Sequence, residues 1–335
     1  MTDKHMRQWA FTDYGIQHLK RSEAPIPQPG PGQILVKVDA VSLNYRDLLL
    51  ASDSYPQKPT LPYVPGSDMA GVVVATGEGV RRWQGGERVI STFVTDWIDG
   101  AAPSNAAALG SPGPGVLASH VLLSEQWAVK APTSLTPTQA STLPCAALTA
   151  WFALVEEGAI HAGQTVLVHG TGGVALFGLQ LARMHGATVI VVSGGADKRE
   201  KALALGASHV IARDADWVAE VLRLTDGRGA EQILETVGGA NFGKSLQALA
   251  ARGRLSLIGV IEGGEISGSA YQTIGTRAVI QGISVGHRNA LERLVRAVDA
   301  NQLQPEIAAE YAFDDAPKAF EHLERGAFGK VVIRL

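Results

Sequence analysis

Three glycines, Gly170, Gly172 and Gly173, stand between an apolar run (Val166 to Val168) and a helical stretch. Glycines at that spacing let a chain turn sharply while its backbone N–H groups face an anion. The whole segment from Thr165 to Gly195, TVLVHGTGGVALFGLQLARMHGATVIVVSGG, reads strand, glycine turn, helix, glycine, strand. That is the pattern of a dinucleotide-binding βαβ unit. Gly170 permits the corner, and Gly172 leaves room for a pyrophosphate. The helix N-terminus adds free N–H groups and partial positive charge. Ala175 holds the third fingerprint position, where helix meets strand closely. Gly170, Thr171, Gly172, Gly173 and Val174 are the candidate phosphate cradle.

The end of the second strand bears on which dinucleotide is bound. An acidic residue about 20 residues after the first glycine would bind the ribose 2′-OH. Ser193 stands there, followed by Gly194 and Gly195; Asp197 lies beyond the strand end, placed to cap the next helix. Lys198, Arg199 and Arg213 supply cations that suit a phosphate dianion. The missing acid and the bases beyond it predict NADPH. Val237 ends the fourth predicted strand, where ligands cross the switch point of such a sheet.

The surrounding elements divide the chain. Its 335 residues, 46% hydrophobic, predict about two domains. A net charge of -3 and a pI near 6.3 argue against nucleic-acid binding. No apolar run has membrane-spanning length and no secretory h-region opens the chain. The single cysteine, Cys145, excludes an internal disulfide and suits a cytoplasmic setting.

From about 6 to 130 the runs QILVKVDAVS (33–42), MAGVVVATG (69–77), ERVISTFV (87–94) and SHVLLS (119–124) predict strands, with a short helix near Asn44 and a long loop over 97–115. Later, strands at 208–212, 231–237, 254–260 and 278–285 alternate with helices near 197–205, 215–225 and 241–251. Alternation of that kind predicts an α/β, doubly wound parallel sheet. Helices at 290–300 and 315–325 and a last strand, KVVIRL, close the chain; that strand is expected to pair with the N-terminal domain.

These parts together resemble the medium-chain dehydrogenase/reductase superfamily, nearest its zinc-free, quinone oxidoreductase-like branch. The resemblance covers essentially the whole chain. PGPGQILVKVDAVSLNYRD (29–47), VPGSDMAGVV (64–73), LPCAALTAW (143–151), HGTGGVALFG (169–178), ETVGG (235–239) and GKVVI (329–333) carry it. It implies a GroES-like β-rich catalytic domain (1–130 and 287–335) and a Rossmann domain (131–286). It also implies that Ser193, Lys198 and Arg213 hold the 2′-phosphate. Thr149 would face the nicotinamide, with Ile258, Gly259, Val260, Ile283 and Val285 bracketing its carboxamide and Lys330 near the cofactor phosphates. The strand at 278–285 resembles the one that pairs with a two-fold mate, so a homodimer is expected.

The zinc-dependent branch carries Cys where this chain has Asn44, and a His-Glu pair where it has Ser67-Asp68. Its third ligand matches Cys145, and the 91–118 region has no cysteine for a structural zinc. One thiolate with Asn and Ser makes no catalytic zinc site. Without a Lewis acid, hydride addition to a quinone or an α,β-unsaturated carbonyl is the easier reaction, because charge spreads into an enolate. Such chemistry needs donors near the oxyanion and a proton source. The matching segment, NYRDLLLASDSY, supplies Asn44, Tyr45, Asp47 and Tyr55, of which Asn44 and Tyr55 fall on residues approaching nicotinamide and substrate. A zinc-free alcohol dehydrogenase or carbonyl reductase, and an NADPH-binding protein with a structural or regulatory role, stay open. His287 and Arg288 are further candidates for contact with cofactor or substrate.

Overall fold

The computed structural model describes residues 4–335. Its strands are β1 (His5–Phe11), β2 (Leu19–Pro25), β3 (Gln33–Ser42), β4 (Asp68–Thr76), β5 (Arg88–Ser91), β6 (His120–Ser124), β7 (Ala128–Lys130), β8 (Thr165–His169), β9 (Thr188–Ser193), β10 (His209–Ala212), β11 (Ala230–Glu235), β12 (Leu249–Leu257), β13 (Val279–Gly282), β14 (Ile307–Ala312) and β15 (Lys330–Arg334). The described residues form two units, residues 4–148 with 286–335, and residues 149–285.

In the second unit, six parallel strands run in the order β10-β9-β8-β11-β12-β13. That order reverses direction between β8 and β11, as in a dinucleotide-binding sheet. The strands at the reversal are buried throughout: all five residues of β8 and the last five of β9. Continuous apolar runs of this sort mark central parallel strands, buried on both faces. The helix Gly173–Met184 follows β8. It lies close to the sheet because Gly178 has no side chain; a Cβ there would meet Leu234 Cδ1 at 2.4 Å.

The first unit holds a sheet in the order β14-β15-β3-β4-β5-β7, with β6 on β3, and the separate hairpin β1-β2. Its core gathers Phe11, Ile34, Leu50, Met69 and Phe320. Phe11 stacks on Tyr63 with centroids 5.4 Å apart and meets the Phe320 edge at 5.6 Å. The last strand joins this sheet, antiparallel to β3 and parallel to β14.

Several expectations need correction. Residues 131–148 belong to the first unit, not the second. The backbone explains why: Ala131 N–H reaches the Arg88 carbonyl at 3.0 Å. Thr133 and Ser134 N–H groups donate to Asp299, and Cys145 N–H to Asp68. The strand expected over 87–94 stops at Ser91. The helix expected over 241–251 stops at Gln247, since Leu249 already pairs with Ala230. The long loop is held in place: Arg288 and Asn289 N–H groups donate to the carbonyls of Trp97 and Ile98. No helix among the described residues is long and apolar enough to cross a membrane.

Candidate active site

The parallel sheet places the predicted cofactor residues at one edge of the second unit. The glycine turn follows β8 and Ser193 ends β9, while Val237, Ile258, Gly259, Val260, Ile283 and Val285 follow β11, β12 and β13. All lie at carboxyl ends of strands, where open α/β sheets bind ligands. Gly170 has φ +80, and a Cβ on Gly170 or Gly172 would meet no protein atom within 4 Å. The helix that begins at Gly173 has no side-chain cap. An open glycine surface before an uncapped helix N-terminus fits a bound pyrophosphate. Val285 sits at φ +60, an outlier for a β-branched residue and the kind of strain that gathers at functional sites.

Beneath this edge lies a network that the sequence did not signal as a unit. The Glu235 carboxylate, fully buried at the end of β11, accepts from Val237 N–H (2.8 Å), Gly238 N–H (3.1 Å), Asn241 Nδ2 (2.9 Å) and Ser245 Oγ (2.5 Å). Ser245 Oγ thus accepts from His169 Nε2 at 3.0 Å. Burial holds His169 below its ordinary pKa, and the bond to Ser245 Oγ, whose own proton goes to Glu235, sets a proton on Nε2. Thr236 Oγ1 donates to the His169 carbonyl at 2.8 Å, joining the end of β11 to the residue before the glycine turn. An acid at the inner end of a core strand is the signal available in sequence, because a buried carboxylate must be partnered.

The 2′-phosphate candidates collect at neighbouring strand ends. Ser193 is buried, and its carbonyl accepts from Arg213 N–H at 3.0 Å. The exposed Arg213 guanidinium would lie 3.7 Å from a Cβ on Gly194. Arg199, one of the three cations read from the sequence, donates to the Gly194 carbonyl. Lys198 is half-buried in the helix Ala196–Ala204. Thr149 is buried in the second unit.

In the first unit, the short helix Tyr45–Ala51 presents Asn44 at its N-cap. Asn44 N–H donates to Asp47 Oδ2 at 2.8 Å. Asp47 therefore serves this helix start; burial raises its pKa to about 6. Asn44 is engaged at both ends of its amide: Oδ1 accepts from Lys330 Nζ at 2.5 Å, and Nδ2 donates to Ser67 Oγ at 3.3 Å. Ser67 Oγ in turn donates a hydrogen bond to Asp68 Oδ1 at 2.6 Å, and Asp68 Oδ2 accepts from Cys145 N–H at 3.0 Å. Lys330 also donates to the Leu43 carbonyl at 2.7 Å. Its ammonium is buried with these partners.

The two tyrosines differ. Tyr45 is exposed, whereas Tyr55 is half-buried with the Arg46 guanidinium 5.0 Å from its ring centroid. Arg46 also faces Phe93 at 5.3 Å and donates to the carbonyls of Leu109 and Ser111. His287 and Arg288, further candidates for contact with cofactor or substrate, meet the long loop. His287 Nε2 lies 3.1 Å from Asp99 Oδ1, and its Nδ1 accepts Ala290 N–H.

A zinc ion does not fit the Asn44, Ser67, Asp68 and Cys145 slot. The Asn44 amide is bound both to the Ser67 hydroxyl and to Lys330, whose ammonium would repel a metal. Burial, with Asp68 beside it, pushes the Cys145 thiol well above its ordinary pKa. Among the described residues, no group of three or more His, Cys, Asp or Glu is arranged to hold a metal.

Comparison with known proteins matches residues 30–133 to the alcohol dehydrogenase GroES-like domain and residues 173–300 to the zinc-binding dehydrogenase family. A zinc-type alcohol dehydrogenase-like protein of Schizosaccharomyces pombe is 36% identical over 333 residues, covering 96% of each chain. The human quinone oxidoreductase is 28% identical over 332 residues, covering 96% of this chain and 95% of its own. The crystal structure of a Sinorhizobium meliloti 1021 protein with a provisional alcohol dehydrogenase designation superposes with a TM-score of 0.96 at 51% identity, covering all of both chains.

Proposed function

The chain belongs to the medium-chain dehydrogenase/reductase superfamily of oxidoreductases, which bind a nicotinamide cofactor, and on that premise we propose an NADPH-dependent, zinc-independent reductase of quinones or α,β-unsaturated carbonyls. The observation that carries this reading is the hydrogen-bond chain through Asn44, Ser67 and Asp68, where the zinc-dependent branch has its ligands. A site that polarises its acceptor with an amide, not a metal, favours acceptors whose own conjugation spreads the negative charge.

NADPH, when bound, would supply the hydride. The glycine turn from Gly170 to Val174 holds the pyrophosphate, and Ser193, Lys198 and Arg213 receive the 2′-phosphate. Thr149, Val237, Ile258, Gly259, Val260, Ile283 and Val285 line the nicotinamide end. In the acceptor, the hydride adds to the β-carbon and the electron pair moves onto the carbonyl oxygen. Asn44 donates a hydrogen bond to that oxygen. Tyr55, its ring braced by Arg46, delivers the proton that completes reduction, with Tyr45 or water as the other sources. Asp47 supports Asn44 through the helix cap.

A carbonyl reductase or alcohol dehydrogenase on the same scaffold is the second reading, favoured by the 51% identity to the Sinorhizobium meliloti structure. One assay separates them: loss of NADPH absorbance with quinones, enones, aldehydes and simple ketones. Turnover of quinones or enones is expected. Turnover confined to aldehydes or ketones favours the second reading. NADPH binding with no turnover would point to a structural or regulatory role.

A second copy of the chain is the proposed partner. Among the described residues β13 pairs with β12 alone; its Val279 and Ile280 are exposed, as are Tyr271 and Ile274 of the helix Ala270–Thr276. An unpaired apolar edge strand invites pairing across a two-fold axis.

A further inference from the structure

We propose that Lys330 is a positioning residue for the acceptor site: its buried ammonium fixes and polarises the Asn44 amide, so that the other Nδ2–H of Asn44 meets the developing oxyanion. This rests on the acceptor-site reading of Asn44 above.

The fold places this lysine deliberately. β15 runs antiparallel to β3 with Val332 opposite Ser42, and Leu43 N–H donates to the Val331 carbonyl at 3.0 Å. That register sets residue 330 beside residues 43 and 44. Gly329 precedes it at φ +90, where a Cβ would lie 2.3 Å from the Glu306 carbonyl oxygen. The backbone is therefore closely confined just before the ammonium. Burying an ammonium is unfavourable unless strong acceptors meet it. The Leu43 carbonyl and Asn44 Oδ1 do so, at 2.7 and 2.5 Å.

The hydrogen bonds run in one direction. Lys330 donates to the Asn44 oxygen, Asn44 to the Ser67 oxygen and Ser67 to the Asp68 carboxylate. A cation at one end and a carboxylate at the other polarise every dipole between them, in a buried setting where such chains reinforce one another. A cation on the amide oxygen draws electron density from its nitrogen and makes the other N–H a stronger donor. The lysine thus supplies positive charge in the slot that a metal fills in the zinc-dependent branch, delivered through an amide.

The test is a double-mutant cycle of Lys330→Met and Asn44→Ala, reading kcat and KM for the best acceptor, NADPH affinity and Tm. Lys330→Met is expected to lower kcat by about ten-fold or more, within the range for weakening one oxyanion donor. NADPH affinity should change less than about two-fold. In the Asn44→Ala background the same change should have little further effect on kcat. Equal losses in both backgrounds, or a loss confined to NADPH affinity, would overturn the proposal; the second result would return Lys330 to a cofactor-phosphate role. If Lys330→Met does not fold, Lys330→Gln takes its place in the cycle. The Asn44 side-chain NH2 resonance, assigned by its absence in Asn44→Ala, should also move in the lysine variant; an unmoved resonance would refute the contact. That arm needs no turnover, so it stands even if no acceptor is reduced and the functional reading fails.

Discussion

Arg213 and Ser193 meet where two neighbouring strands end: the Arg213 N–H donates to the Ser193 carbonyl at 3.0 Å. This bond fixes the start of the arginine side chain beside Gly194. Arg213→Ala is expected to weaken NADPH binding by about ten-fold or more, equivalent to ~1.4 kcal/mol, and to leave NADH binding nearly unchanged. Gly194→Asp should act in the same direction more strongly, since its carboxylate would pair with Arg213 and repel a 2′-phosphate. Calorimetric titration of both cofactors checks this. Equal losses for NADH and NADPH would remove Arg213 from the phosphate site.

The Asn44 slot carries a prediction about metal. Chelator treatment should leave Tm and acceptor-dependent NADPH oxidation unchanged, and added zinc should not raise either. Elemental analysis should find substoichiometric zinc. In the same slot, Cys145 should alkylate slowly at pH 8 in the native protein and readily after unfolding, because its raised pKa keeps it a thiol. Stoichiometric zinc that resists dialysis would contradict the hydrogen-bond chain as the resting arrangement.

Local pattern made the parallel sheet legible. β8 and β9 are continuous apolar runs, and the turn between β8 and its helix is written in glycine. β14 escaped notice because IAAEYA alternates half-buried with exposed positions and has no strong apolar face. The helix Ala270–Thr276 escaped because it buries no residue. Site residues were legible where one residue type had a chemical task, as with Gly172 or the missing acid at Ser193. They were not legible where the task is a relation between distant segments. Nothing local to GKVVI says that Lys330 turns toward Asn44, because that follows from the β15–β3 register. Glu235 and Ser245 likewise meet His169 only after three elements converge.

The exposed edge at β13 predicts a change of mass. Val279 and Ile280 are 39% and 41% exposed on an open strand edge, a template on which a second copy can pair. Ile280→Lys should convert a dimer to a monomer in light scattering after size exclusion, since a lysine on an edge strand opposes edge-to-edge pairing. A wild-type monomer at micromolar concentration would refute the assembly.

Asp47 predicts how stability responds to pH. Its carboxyl has a pKa of 3.8 when unperturbed and about 6 in the folded protein, because burial disfavours the charge. Between those values the native state binds more protons than the unfolded chain, so stability falls as pH rises through that window. The loss is complete above the native pKa and amounts to roughly 2–3 kcal/mol at ~1.4 kcal/mol per pKa unit. Asp68 is also raised by burial, so the wild-type slope mixes both acids. Asp47→Asn isolates one of them: it retains an oxygen to accept the Asn44 N–H and removes the charge. The variant should gain on the wild type as pH rises from 4 to 7, in denaturant unfolding across that range. A stability difference that is flat with pH would show that Asp47 does not titrate in this window.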